Sequence, residues 1–187
     1  QQLIEKIGQQ EMNVHIKLET GMNRLGFVES ELVELIAVLH QHKNIHVKTV
    51  FSHLAASEDE QLDSFTKEQI SIFKRLSETF IASFNYPVKK HLLNSSGILR
   101  FPEAHYDYVR LGIGLYGVDS SATIQEKLLP IGKLKTRVSQ IKQVPKGETI
   151  GYSRKGVAEK DIKIGILAIG YADGYDRRFG NGTGEVF

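Results

Sequence analysis

The sequence predicts an α/β fold, four strand–helix units making half of an eight-unit barrel of the TIM type, followed by a β-rich domain. Three observations carry this. Short runs alternate apolar and polar side chains, the stretches between them repeat apolar residues at helical spacing, and after about Ser120 the helical period disappears.

In VHIKLET, Val14, Ile16 and Leu18 fall on one side of an extended chain, and His15, Lys17 and Glu19 fall on the other. ESELVELIAVLHQHK then sets Leu32, Leu35, Ile36 and Leu39 along one helical stripe. HVKTVFSHL reads as a second strand. The acidic turn ASEDEQ leads into a long helix with Phe65, Ile72, Phe73, Leu76 and Phe80 on one side. Pro87 precedes a third strand through VKKHLLNSS, GILRFPEA is a short helical segment, and YDYVRLGIGLYG is a fourth strand. Strands alternating with helices in this way make a parallel sheet with helices outside. Beyond Ser120, KLKTRVSQIKQVPKGETIGYSRKG and KIGILAIGYADGY are β-rich runs broken by Pro-Lys-Gly and glycine turns, the pattern of an antiparallel domain. The boundary is placed between Asp119 and Ile124, giving a barrel part over 1–119 and a β-rich part over 120–187.

Composition narrows the function classes. With 41% hydrophobic residues the 187-residue chain can bury a core, and 24 Lys plus Arg against 22 Asp plus Glu leave a net charge of +2. So weak a field argues against nucleic acid and against an anionic membrane surface as partners. The absence of cysteine excludes disulfides, thiol catalysis and a Cys-ligated metal. No metal site is expected, and no apolar run reaches bilayer length, so a cytoplasmic protein is the expectation. The opening QQLIEKIGQQ and the closing GEVF read as cuts in a longer protein.

In parallel α/β folds, functional residues gather at the carboxyl ends of the strands. That rule selects Lys17 to Arg24 after the first strand, His53 after the second, Asn94, Ser95 and Ser96 after the third, and Arg110, Gly112 and Ile113 after the fourth. NSSG offers hydroxyls and amides ahead of a helical turn, and the glycines of LGIG let backbone approach a ligand, so together they can cradle a phosphate. Each has a plainer reading as well. Ser-Ser-Gly caps helices, strand glycines serve packing, a lone histidine is often structural, and an arginine is often half of an ion pair.

The blocks HIKLETGMNRLG, SHLA, LLNSSGILRFP, YVRLGIGLYG, ETIGYSRKG and AIGYADGYDRR, in this order and spacing, resemble the alanine racemase family. Those are pyridoxal-phosphate enzymes built as an eight-stranded α/β barrel followed by a β domain. The resemblance implies that the first four units are the second half of the barrel, and that 120–187 begin the β domain. It implies interconversion of L- and D-alanine for peptidoglycan synthesis by two bases, in a homodimer. Other readings are a racemase of another amino acid on the same fold, or a non-catalytic racemase-like module fused to a cell-wall ligase.

Residue by residue, Arg24 matches the arginine beside the cofactor phenolate and substrate carboxylate. Lys17 matches a position where the family often carries a carbamate, and an anion there would turn repulsion of Arg24 into a charge-assisted hydrogen bond. This gives a reason for a lysine and an arginine to share one polar face. Ser95 and the backbone of Gly112 and Ile113 match the phosphate cradle, which Asn94 adjoins. Arg110 matches the arginine that faces the pyridine nitrogen, with His53 behind it. Tyr152 matches the base that takes the α-proton of L-alanine, working on the neighbouring subunit's site, and Tyr171 and Arg177 match the substrate corridor. The family's second base is the lysine that holds the cofactor as a Schiff base, in an Ala-x-Lys-Ala-Asn-Ala-Tyr-Gly type motif that these 187 residues lack. The chain alone is therefore expected to be inactive.

Overall fold

The computed structural model describes residues 2–180 and 182–187. The chain packs as two compact units, 1–132 and 133–187. The first opens with helix α1 (Gln2–Ile7) and strand β1 (Met12–Lys17), followed by α2 (Leu32–Gln41), β2 (Ile45–Phe51), α3 (Asp63–Ile81), β3 (Lys89–His91), α4 (Ser95–Arg100) and α5 (Ala122–Gln125). The three strands form a parallel sheet in the order β1-β2-β3.

The apolar stripes meet on one side of this sheet. Ile16 and Leu18 from the first strand, Val47 and Val50 from the second, and Leu92 and Leu93 beyond the third pack against Leu32 and Leu39 of α2 and Phe73, Leu76 and Phe80 of α3. Burying each of these large side chains contributes roughly 1.5–3 kcal/mol. With one face closed by helices, the other face carries His15, Lys17 and Thr49. The predicted polar side of β1 is therefore the inner face of the half-barrel rather than a solvated surface.

The expected fourth strand is not a strand. His91 and Tyr108 form only an isolated parallel bridge, after which the chain turns into a 3-10 helix over Ile113–Tyr116. The ladder is interrupted because the Lys90 amide donates to the Asp107 side chain (2.7 Å), while the Asp107 and Tyr108 amides both converge on the Lys90 carbonyl. A last backbone bond, from the Arg110 amide to the Leu93 carbonyl (2.9 Å), still aligns this segment beside β3. The segment following Asp119 stays with the first unit. Buried Asp119 accepts from the Ser96 hydroxyl at 2.7 Å, and Gln125 donates to the Gly117 carbonyl at 3.0 Å.

A clasp shapes the loop that carries Arg24. Leu18 and Phe27 form a bridge, with the Phe27 amide on the Lys17 carbonyl (2.8 Å) and the Glu19 amide on the Phe27 carbonyl (2.9 Å). Closure depends on Gly26, whose φ is +126° and where a Cβ would stand 2.9 Å from both the Glu19 nitrogen and the Leu18 carbonyl carbon. Gly26→Val should therefore destabilise the chain by about 2–4 kcal/mol, from backbone strain plus the clash. Urea unfolding checks this, and an unchanged midpoint would refute the clasp.

The second unit is antiparallel, as its glycine turns suggest. Strand β4 (Val138–Val144) pairs with β7 (Ile162–Leu167), and β5 (Thr149–Ile150) pairs with β6 (Gly156–Val157). Among the described residues, no helix is long and apolar enough to cross a membrane.

Candidate functional site

Three strand ends and the segment beyond the isolated bridge bring their polar groups to one place. Lys17 is the last residue of β1, His53 follows β2 by two residues, Ser95 opens α4 after β3, and Arg110 follows the bridge at Tyr108.

Arg110 is the hub. Its Nη2 donates to the Ser52 carbonyl (2.6 Å), His53 Nδ1 (2.8 Å) and the Leu92 carbonyl (3.0 Å), and its Nη1 donates to His91 Nδ1 (2.8 Å). The guanidinium also lies 5.3 Å from the centre of the Phe51 ring, and that ring stacks on His91 at 4.8 Å. A guanidinium has no acceptor, so both histidines must accept at Nδ1, which makes each neutral with its proton on Nε2. The electrostatics agree. Burial, followed by Arg110 and His15, pushes His91 down to about 4. Burial also lowers His53, helped by Arg110, Arg24 and Lys17. Among the described residues, neither the Arg110 Nε–H nor its second Nη1–H has a partner, so the guanidinium keeps donors for a ligand.

The third strand end makes an anion cradle. Ser95 Oγ accepts from the amides of Gly112 (2.9 Å) and Gly114 (3.1 Å), which leaves its own hydroxyl proton to give. Ile113 begins a 3-10 helix, so its amide has no acceptor within that helix. A Cβ on Gly114 would come 3.1 Å from Ser95 Cβ and 3.3 Å from its Oγ, so glycine keeps this concavity open. A phosphate fits such a set of amides and a hydroxyl.

Asn94 serves this site indirectly. Its Oδ1 accepts from the Gly97 amide (3.1 Å) and from the Ser57 hydroxyl (2.6 Å), capping α4 and tying it to the loop after β2. Gln69 of α3, fully buried, steadies that same loop by accepting from the Ala55 amide at 2.9 Å.

Lys17 and Arg24 complete the cationic edge. Burial first, then Arg24 and Arg110, lowers the Lys17 amine, against an upward pull from Glu19. Burial works to raise the Glu19 carboxyl, but the loop amides of Asn23, Gly21, Met22 and Arg24 outweigh it and hold it low. Glu19 therefore organises the loop on which Arg24 stands exposed.

Tyr152 and Tyr171 belong to the second unit. Tyr152 is 97% exposed, on a turn where Ser153 and Arg154 adopt left-handed backbone at φ 56° and 55°. The Arg177 guanidinium lies 4.2 Å from the centre of the Tyr171 ring, within cation–π range.

Two participants escape the strand-end rule. His91 lies three residues before the predicted site at Asn94, because β3 ends at His91 rather than running on through VKKHLLNSS. Thr49 lies mid-strand, and strict alternation from Ile45 and Val47 puts it on the helix side. Only the inward parity of His15 and the presence of a histidine in VKKHLLNSS hinted at a deeper polar layer.

A parallel half-sheet with a cationic, amide-lined set of strand ends defines a protein of the α/β-barrel class whose carboxyl edge suits an anionic ligand. The comparisons make the class specific. Residues 1–120 match the family model for the alanine racemase N-terminal domain, and residues 131–187 match that for the C-terminal domain. The chain belongs to the alanine racemase family. It is 42% identical over 170 residues to the alanine racemase of Carboxydothermus hydrogenoformans, covering 89% of this chain and 46% of that protein. It is 40% identical over 169 residues to the alanine racemase of Treponema denticola, covering 88% and 44%. The alanine racemase structure from Streptomyces coelicolor A3(2) matches with a TM-score of 0.80 at 26% identity, covering 92% of this chain and 47% of that one. The chain thus spans about half the length of the curated relatives it matches.

Proposed function

We propose that this chain forms the phosphate and ring-nitrogen side of a pyridoxal-phosphate-dependent alanine racemase site and contributes Tyr152 as one of its two proton-transfer bases. The observation that carries this reading is the Ser95 cradle beside an arginine whose Nε–H is unspent. The Ser95 hydroxyl and the Ile113 amide would hold the phosphate, joined by the Gly112 and Gly114 amides as these exchange Ser95 Oγ for phosphate oxygens, and Arg110 would meet the pyridine nitrogen. Bound pyridoxal phosphate would supply the electron sink for negative charge left on the substrate's α-carbon.

Arginine keeps its proton at any working pH, so Arg110 offers only donors and leaves the ring nitrogen unprotonated. That restrains the sink and favours returning a proton over losing carbon dioxide. Arg24 would pair with the alanine carboxylate. The lowered amine of Lys17 suits carbamate formation, in which the neutral nitrogen bonds to the carbon of carbon dioxide and releases a proton, leaving an anion to hold Arg24. Tyr152 would take the α-proton of L-alanine at its Oη and return one in the opposite direction. Its exposure suits service to a second subunit, with Tyr171 in the same role, and a cytoplasmic homodimer making D-alanine for peptidoglycan is the corresponding setting.

Titrating the 187-residue chain with pyridoxal phosphate while recording amide NMR spectra tests the cradle. The Gly112, Ile113 and Gly114 amides should shift together, and Gly114→Val should abolish those shifts. Saturable shifts elsewhere with these three unmoved would overturn the reading.

A further inference from the structure

Strand β2 contains a bulge near its carboxyl end. Val14 pairs with Val47 but His15 pairs with Thr49, so Lys48 is the extra residue and the alternation changes phase there. Before the bulge Ile45 and Val47 face the core, and after it Val50 does. Thr49 is thereby moved to the inner face, between histidines of the two flanking strands. Its Oγ1 lies 2.7 Å from His15 Nδ1 and 3.1 Å from His91 Nε2. Thr49 is 6% exposed, while His15 lies open at the end of the row.

The donors fix a direction. Arg110 donates to His91 Nδ1, so His91 carries its proton on Nε2 and donates it to Thr49 Oγ1. The Thr49 hydroxyl, with its acceptor role taken, donates to His15 Nδ1. Each donation polarises the next group, so a hydroxyl that gives its proton to His15 is a better acceptor for His91, and His91 in turn for Arg110. A proton on His15 Nδ1 reverses the first link, because that nitrogen then donates to Thr49.

We propose that Thr49 is a positioning residue, the hydrogen-bonded link through which the protonation of His15 sets the strength of the hydrogen bond that His91 accepts from Arg110. The charged and titratable groups sharing this inner-face cavity with His15 are Lys48 from the bulge, Lys89 and His91 from β3, and Tyr108 and Arg110 from the segment beyond. Lys89 lies 3.8 Å from Asp107. The consequence for the cofactor ring rests on the proposed function, whereas the coupling of the two histidines does not.

Histidine side-chain 15N NMR on the ligand-free chain reads the relay. His91 should show a bare Nδ1 and a protonated Nε2, and both resonances should carry an inflection at the pH where the His15 signals themselves titrate. Thr49→Val should shrink that inflection to the part His15 exerts through space, Thr49→Ser should keep it whole, and His15→Gln, altering an exposed residue, should erase it without moving the His91 tautomer. His91 resonances in the unaltered chain that ignore His15 titration would overturn the proposal, as would an inflection undiminished in Thr49→Val. The unaltered chain alone suffices for the first of these outcomes, so a poorly folding variant does not shelter the claim. Failure of pyridoxal phosphate to shift the Ser95 cradle would count against the functional reading and leave the relay standing.

Discussion

Supplied with pyridoxal phosphate and L-alanine, the 187-residue chain should produce no D-alanine. Racemisation needs a proton removed from one face of the α-carbon and another delivered to the opposite face, so two positioned bases are required. Tyr152 is the one this chain brings. Its lysines lie in other settings, such as Lys48 on the bulge of β2 and Lys89 and Lys90 on β3, and the family's lysine-bearing motif is not among the 187 residues. Losing one general base slows such a step by roughly 10²–10⁴-fold, and losing a covalent anchor removes further orientation that is worth as much or more. Chiral chromatography after long incubation checks this. D-alanine above background, or a borohydride-reducible cofactor adduct on one specific lysine, would contradict it.

The second large effect belongs to Arg110. Arg110→Leu should lower stability by about 3–5 kcal/mol, because it strands His53 Nδ1, His91 Nδ1 and the Ser52 and Leu92 carbonyls together, and a buried acceptor left unpaired costs about 1–3 kcal/mol. Some of these groups regain water, which keeps the total below the sum. Arg110→Lys should fall between, since one ammonium cannot span a fork with four acceptors. It should also weaken cofactor binding without touching the Ser95 cradle. Urea unfolding of both variants decides the matter, and an unchanged midpoint for Arg110→Leu would show that the hub does not hold these strand ends together.

Much of this arrangement is legible in the sequence because strand alternation and strand-end placement are local consequences of backbone geometry. Ile16 and Leu18 facing the helices, Lys17 facing inward, and Ser95 meeting Gly112 all follow from period and position. What escapes has physical reasons. The bulge at Lys48 shifts β2 by one residue, so Thr49 reads as a core residue by parity although it belongs to the inner face. The fourth strand fails because the Asp107 carboxylate takes the Lys90 amide, and a side chain intercepting a ladder bond leaves no trace in apolar periodicity. Asn94 reads from sequence as a neighbour of the phosphate cradle, and that its side chain also caps α4 through Gly97 and takes the Ser57 hydroxyl is not visible in the spacing. His91 acquires meaning only through Arg110, which lies 19 residues away.

The most direct test joins this chain behind the lysine-bearing N-terminal segment of the Carboxydothermus hydrogenoformans alanine racemase, to which it is 42% identical. Racemisation is then followed with L-alanine in deuterated water. The folded, cofactor-loaded chimera should form D-alanine. Tyr152→Phe in it should stop α-deuterium incorporation that starts from L-alanine, while exchange starting from D-alanine persists. A chimera that folds and binds pyridoxal phosphate but leaves L-alanine unchanged, while the relative's own segments joined in the same way racemise it, would contradict the assignment of this chain to an alanine racemase site.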